Sequence, residues 1–246
     1  MSLLKDFTDI GNFYADKGGN RPYLEKRSNA YLDDFTRNAG SNNYTKFARD
    51  VNRWGQPGCQ GQPWCAVYQF WKLVKVFGLK KALQIMGGGF YNCRSVTRHA
   101  KNNGTWKKTP KKGALVVFRN GAHIGSIINY NGSYIYTNEG NTSSSAGVVA
   151  NGGSCRNKRY RRGDPAIDGY VWINYGTSGE STSVDTASTL KRKPQYVGKV
   201  TAKELNVRSW AGVESPVIKK WPLLREGNLV DICDTIKASD GSEWYY

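Results

Sequence analysis

The sequence predicts an α+β domain, a helix packed on an antiparallel sheet, followed by a small all-β barrel. Three observations carry this expectation. Val67, Phe70, Trp71, Val74 and Phe77 recur at helical spacing. Short apolar runs at 114–118, 123–129, 133–138 and 169–174 are separated by Gly- and Asn-rich turns and read as strands. Small polar residues fill 176–195, and short strand-like segments follow at 196–200, 205–209, 217–221, 229–235 and 243–246.

Taken in chain order, residues 1–40 read as short helices and turns around Leu3, Leu4, Phe7, Tyr31, Leu32 and Phe35, with no role evident. Residues 41–175 form the main domain. Its helix opens near Trp64, carries Gln69, Lys72 and Lys75 on the face opposite the apolar stripe, and stops at Gly78. A Ser/Thr-rich linker over 176–195 cannot bury a core, and a small domain occupies 196–246.

The chain has 246 residues, 36 Lys+Arg against 19 Asp+Glu, and a net charge of +17. Such a charge implies an acidic partner: nucleic acid, an anionic membrane or an anionic wall polymer. The excess is uneven. Residues 1–178 hold 26 basic and 10 acidic residues, whereas 179–246 hold 10 and 9. No apolar run approaches the roughly 18 residues of a membrane-spanning helix. Residues 1–20 lack the basic start and apolar core of a Sec signal. Zinc hydrolysis is disfavoured, because neither a His-Glu-x-x-His run nor a Cys-x-x-Cys pair occurs. Gly87-Gly88-Gly89 lacks the Lys-Ser/Thr of a phosphate loop.

Cys65 lies in Gly61-Gln62-Pro63-Trp64-Cys65-Ala66, on the first turn of the predicted helix. Unpaired N–H groups there favour a thiolate, which marks Cys65 as a nucleophile. Cys93, Cys155 and Cys233 read as buried small hydrophobes, and Cys59 as a loop thiol or a partner for Cys65. Only two histidines exist. His99 sits in a basic segment and reads as a surface residue, whereas His123 begins a strand among small neighbours. A general base also needs an orienting group. Between Asp50 and Asp164 there are 18 Lys+Arg and one carboxylate, Glu139. That scarcity also disfavours a two-carboxylate glycosidase in this stretch. A two-residue Asn131-Gly132 turn would set His123 opposite Gly140 and send Glu139 to the other face. A three-residue Tyr130–Gly132 loop would set His123 opposite Glu139. The second register is expected, because it assembles a Cys–His–acid site. Trp54, Trp64 and Trp106 are candidate sugar-stacking residues near this site, and Trp210, Trp221 and Trp244 in the tail, although each taken singly suits a core.

Trp64-Cys65-Ala66 opening a helix, Pro110–Phe118, Gly121-Ala122-His123-Ile124-Gly125 and Glu139-Gly140-Asn141, in that order over about 41–175, resemble the CHAP domain. This is the cysteine, histidine-dependent amidohydrolase/peptidase family of papain-like peptidoglycan hydrolases. No histidine follows His123, so the second His typical of NlpC-type relatives is missing. The resemblance implies a papain-like fold with Cys65 as nucleophile, His123 as base, and Glu139 and Asn141 as orienting groups. The Cys65 N–H, with Gln60 or Gln62, would then hold the oxyanion. Peptidoglycan is the implied substrate, cleaved at an amide bond as an amidase or an endopeptidase, with anionic wall polymers as further partners. No cofactor is expected. Some relatives carry an Asp-rich calcium loop before the Cys, but here Asp50 is the only acid nearby.

The tail, with Leu205–Ser209 and Trp244-Tyr245, resembles bacterial SH3-like wall-binding domains. Such domains usually continue into one more strand than the chain shows before Tyr246. The combination resembles endolysins and autolysins. It implies a monomer acting at the bacterial cell wall without membrane insertion, reached by lysis, a holin or a non-classical route. A non-catalytic wall-binding protein and a basic nucleic-acid-binding protein are the alternative classes. The second would share the charge, but no nucleic-acid motif is present.

Overall fold

The computed structural model describes residues 2–15, 21–176, 196–208, 210–213, 215, 217–218, 223–238 and 241–246. The expected linker beyond Gly176, and Trp221, lie outside the described residues. The chain divides into two compact units, Ser2–Glu180 and Ser181–Tyr246.

The first unit contains α1 (Leu3–Tyr14), α2 (Lys46–Arg53), α3 (Cys65–Phe77), α4 (Leu79–Met86) and α5 (Cys93–Asn102). Its strands are β1 (Trp106–Lys107), β2 (Leu115–Phe118), β3 (His123–Tyr130), β4 (Tyr134–Thr142), β5 (Ser154–Arg161) and β6 (Ile167–Val171). They form one antiparallel sheet in the order β1-β6-β2-β3-β4-β5. This is the α+β arrangement expected, a mixed unit built around a main antiparallel sheet.

Several helix starts follow from capping chemistry. Ser2, Thr45 and Asn92 each accept a first-turn N–H from α1, α2 and α5 respectively. α3 is different: Trp64 stands at its cap and offers no side-chain acceptor. Gly78, at φ 77°, closes α3, as its place after the apolar stripe predicts.

The face of α3 opposite the apolar stripe is only partly open to solvent, at Lys75. Gln69 and Lys72 are fully buried rather than solvent-facing. α3 is a central helix, in contact with α1, α2, α4, β3 and β4. Gln69 and Lys72 are therefore enclosed by protein and need internal partners, whereas Lys75 stays exposed. Lys72 Nζ donates to Ser126 Oγ and Asn138 Oδ1, both at 2.8 Å. Its ammonium also lies over the rings of Phe7 and Tyr68. Burial lowers the Lys72 pKa to about 7, against a small opposing influence from Cys155.

The described residues of the N-terminal segment 1–40 pack against the core of the unit. Tyr14 and Tyr23 are buried in an aromatic cluster with Phe47, Trp64, Tyr68 and Trp71, and the buried Phe7 meets Tyr175. Gly11 O accepts from Asn138 Nδ2, which ties α1 to β4. Glu25 Oε2 accepts from the indole N–H of Trp64 at 2.8 Å.

The second unit contains β7 (Tyr196–Lys199), β8 (Glu204–Leu205), β9 (Leu224–Arg225), β10 (Leu229–Ile232), β11 (Thr235–Lys237) and β12 (Glu243–Tyr245). They pair as β7–β10, β8–β9 and β11–β12. Among the described residues these are separate two-stranded ladders, and no sheet closes into a barrel.

Candidate active site

Cys65 is the first residue of α3 and is 5% exposed. Because Trp64 supplies no side-chain acceptor, the first-turn N–H groups remain available to an anion. Trp64 itself is held by Glu25 and stacked on Phe47, so the helix start is rigidly placed. The helix start at Cys65 agrees with the sequence reading.

His123 begins β3 at the same end of the domain. It is fully buried, and its Nε2 lies 3.0 Å from Glu139 Oε2. Nδ1 forms no hydrogen bond of ordinary geometry, and its ring interacts electrostatically with the Cys65 sulfur. Burial opposes a charged imidazole, yet Cys65 and Glu139 outweigh it and raise the His123 pKa to about 9. Glu139 is likewise fully buried, with hydrogen-bond partners on both oxygens. Thr137 Oγ1 donates to its Oε1 at 2.5 Å, and Tyr160 O–H reaches its Oε2 at 3.3 Å.

The hairpin that brings His123 and Glu139 together uses neither expected register. Asn131 Oδ1 accepts the N–H groups of Ser133 and Tyr134, residues 131–133 link the strands, and Tyr130 pairs with Ile135. Carried straight along the strands, that register would pair Glu139 with Ser126, on the face opposite His123. A bulge between Ile127 and Asn129 absorbs one residue of β3. Beyond it Glu139 pairs with Gly125, and the carboxylate returns to the face of His123. The shared face was expected, but it is created by the bulge and not by the turn.

The ladder also separates two polar systems. On the helix side, Ser126 and Asn138 hold Lys72. On the far side, Glu139 holds His123. Gly125 permits this, because a Cβ there would stand 2.7 Å from Glu139 Cγ. Gly140 leaves room for Trp64 and Tyr68, each 2.7 Å from where its Cβ would be.

Cys93 is a member of the site that sequence reasoning missed. It begins α5, is 6% exposed, and its Sγ lies 3.8 Å from Cys65 Sγ. Phe90 stacks on Phe70 of α3 at 3.6 Å, and Arg94 Nε donates to Asn120 O in the turn before His123. These contacts fix the start of α5 between the nucleophile candidate and the histidine strand. The hydrogen bond from Cys93 is the largest influence on Cys65 and lowers its pKa well below the usual cysteine value. His123 and the Ile124 N–H add to it, and together they outweigh burial. Cys93 moves the other way, raised by Cys65 and by burial, so it stays a thiol and donates. The available signal was a helix start shared with Cys65: Asn92 caps α5 immediately before Cys93.

The remaining candidates separate. Asn141 is buried with a left-handed backbone (φ 56°). Its Oδ1 accepts from Gly153 N and its Nδ2 has no partner, so it does not orient His123 as the resemblance implies. Gln60 spends its amide on Thr45 N and O and on Asn29, which removes it as an oxyanion donor. Gln62 is exposed. Trp64 is fully buried and presents no face to a sugar. Trp54 and Trp106 are half-buried, with Lys75 over Trp54 and Lys101 over Trp106. Trp210 and Trp244 are half-buried in the second unit. His99 is not a freely solvated side chain: its Nε2 meets Gln84 O and Asn103 Nδ2 at 2.9 Å each. Among the described residues, no group of three or more His, Cys, Asp or Glu could hold a metal ion, and no helix is long and apolar enough to cross a membrane.

A low-pKa cysteine, a histidine on it and a carboxylate behind the histidine define a thiol hydrolase type of site. Residues 57–141 match the CHAP domain, a stretch that contains Cys65, Cys93, His123, Glu139 and Asn141. CHAP domains are generally cysteine- and histidine-dependent hydrolases of peptidoglycan, and the match supports an enzyme of that general kind. A comparison with curated proteins finds no match. A solved structure described as "The crystal structure of Ly7917" aligns at 12% identity with a TM-score of 0.37, covering 74% of this chain and 76% of that one. At that level the likeness carries no argument.

Proposed function

We propose that the protein cleaves an amide bond of peptidoglycan, as an N-acetylmuramoyl-L-alanine amidase or as a stem or cross-bridge endopeptidase. The observation that carries the reading is the polarity of His123. One ring nitrogen is bound to Glu139, and the other is left to the Cys65 sulfur. In this reading the resting pair is a Cys65 thiolate beside a His123 imidazolium. The thiolate attacks the carbonyl carbon, and the oxyanion is met by N–H groups at the start of α3, the Cys65 N–H among them. Nδ1 of His123 gives its proton to the departing amine. It then takes a proton from water, whose oxygen displaces sulfur from the thioester and releases the acid. Glu139 holds Nε2–H throughout, so the ring cannot turn, and it favours the imidazolium.

The strong positive charge of residues 1–178 suits the anionic wall, so the catalytic unit would itself help to hold the substrate polymer. Within the same reading, residues 196–246 are an SH3-like wall-binding domain, with Trp210, Trp221 and Trp244 as candidate contacts, and the protein is an endolysin or autolysin. Turbidity clearing of a cell-wall suspension tests the central role. Cys65→Ala should bind walls and fail to clear them, and undiminished clearing by this variant would refute the mechanism.

A further inference from the structure

Cys93 faces the candidate nucleophile without any part in the acyl-transfer steps. Its sulfur is 3.8 Å from that of Cys65, both side chains are nearly buried, and all five cysteines are free thiols. Closing this gap to a disulfide length of about 2.05 Å requires a shift of under about 2 Å shared by two side chains. Other thiols are differently placed. Cys59 donates to Pro57 O, and Cys155 is buried within the helix-side core beneath the sheet.

We infer that Cys65 and Cys93 are a peroxide-reactive pair, in which Cys93 resolves an oxidised Cys65 and locks the nucleophile in a reversible disulfide. The Cys65 sulfur attacks one oxygen of hydrogen peroxide or an alkyl hydroperoxide, and the O–O bond breaks. Two electrons pass from sulfur to oxygen, leaving Cys65 as a sulfenic acid. The departing hydroxide or alkoxide takes its proton from the His123 imidazolium. The Cys93 sulfur then attacks the Cys65 sulfur, and the sulfenic hydroxyl leaves as water with the Cys93 proton. Two thiols and one hydroperoxide thus give one disulfide, one water, and a second water or an alcohol. The reaction uses the same electropositive helix start and the same histidine that lower the thiol pKa. The disulfide protects Cys65 from the irreversible sulfinic state. The loss of activity rests on the proposed role of Cys65, whereas the covalent bond does not.

The test uses the full chain. Native protein is treated with hydrogen peroxide, remaining thiols are alkylated after denaturation, and the digest is mapped by mass spectrometry, with wall clearing measured before and after dithiothreitol. A disulfide joining the Cys65 and Cys93 peptides, with clearing lost and then restored by the dithiol, is the expected result. In Cys93→Ala the same treatment should drive Cys65 to sulfinic acid, which dithiothreitol does not reverse. Cys65 recovered as sulfinic acid or joined to Cys59 in the native chain, with Cys93 alkylated, overturns the inference without needing any variant to fold. A Cys65–Cys93 disulfide that leaves clearing intact supports the pair and instead removes Cys65 from the proposed hydrolysis.

Discussion

Gly125 stands directly across the β3–β4 ladder from Glu139, and its missing side chain is the space through which the carboxylate reaches His123 two residues along. A Cβ at Gly125 would meet Glu139 Cγ at 2.7 Å. Gly125→Ala should therefore displace the carboxylate while leaving the ladder paired. Overpacking of this sort costs about 1–3 kcal/mol, so the domain should remain folded with a lowered melting temperature. Wall clearing should fall further than stability does. Full activity in a folded Gly125→Ala variant would show that the Glu139–His123 bond is dispensable.

Glu139→Gln keeps the shape and removes the charge. An amide can accept Nε2–H but supports the imidazolium less. Loss of the corresponding carboxylate in a serine triad costs about 10⁴-fold. A fall on the order of 10²–10⁴-fold in turnover is expected here, with wall binding kept. An unchanged rate would remove Glu139 from the mechanism.

The pH profile carries a sign. The thiolate–imidazolium pair exists above the depressed Cys65 pKa and below the His123 pKa of about 9. Activity should rise well below pH 9 as Cys65 ionises, hold across a plateau, and fall near pH 9 as His123 loses its proton. Glu139→Gln removes a negative charge that favours the imidazolium, so its alkaline limb should move to lower pH. Rates of Cys65 alkylation across pH provide an independent reading. An alkylation profile that rises only near the pH of an ordinary thiol would contradict the ion pair.

Lys72 makes a separate prediction about stability. Its folded pKa is lowered to about 7, below the ordinary lysine value, mainly by burial. Between these two values the unfolded chain binds more protons than the folded one. This group therefore makes stability increase as pH rises through that window, and its penalty is greatest below about pH 7. Lys72→Met removes the charge and still fills the stem volume, while Asn138 Oδ1 keeps the Tyr68 hydroxyl as a donor. The variant should lose the pH dependence that Lys72 imposes, read as denaturant midpoints at pH 7 and pH 10. Parallel curves for the two proteins would refute a lysine buried at a cost.

Particular residues show what the amino-acid pattern reveals and what it hides. Trp64-Cys65 ahead of an apolar stripe was enough to place a thiol at a helix start, and the lone carboxylate in a basic stretch pointed to Glu139. Local signals of this sort survive folding because they arise within one turn or one strand. The hairpin register did not survive. Asn131 capping its own loop and the bulge after Ile127 each change the pairing, and only together do they restore the expected face. The burial of Lys72, on the face opposite the apolar stripe, was not legible because its sequence neighbours do not show that α1 packs on α3. Cys93 looked like a small hydrophobe because its partner is 28 residues away. Gln60 and Trp64 looked available until their partners, Thr45 and Glu25, were in place.

In the proposed reaction Cys65 cleaves an amide of peptidoglycan. Digestion of purified sacculi by the wild-type protein and by Cys65→Ala, with the released ends identified by mass spectrometry, tests it most directly. New amine and carboxyl ends from wild type, absent with Cys65→Ala, are the predicted result. New reducing sugar ends alone, or the same amide products from Cys65→Ala, would contradict it.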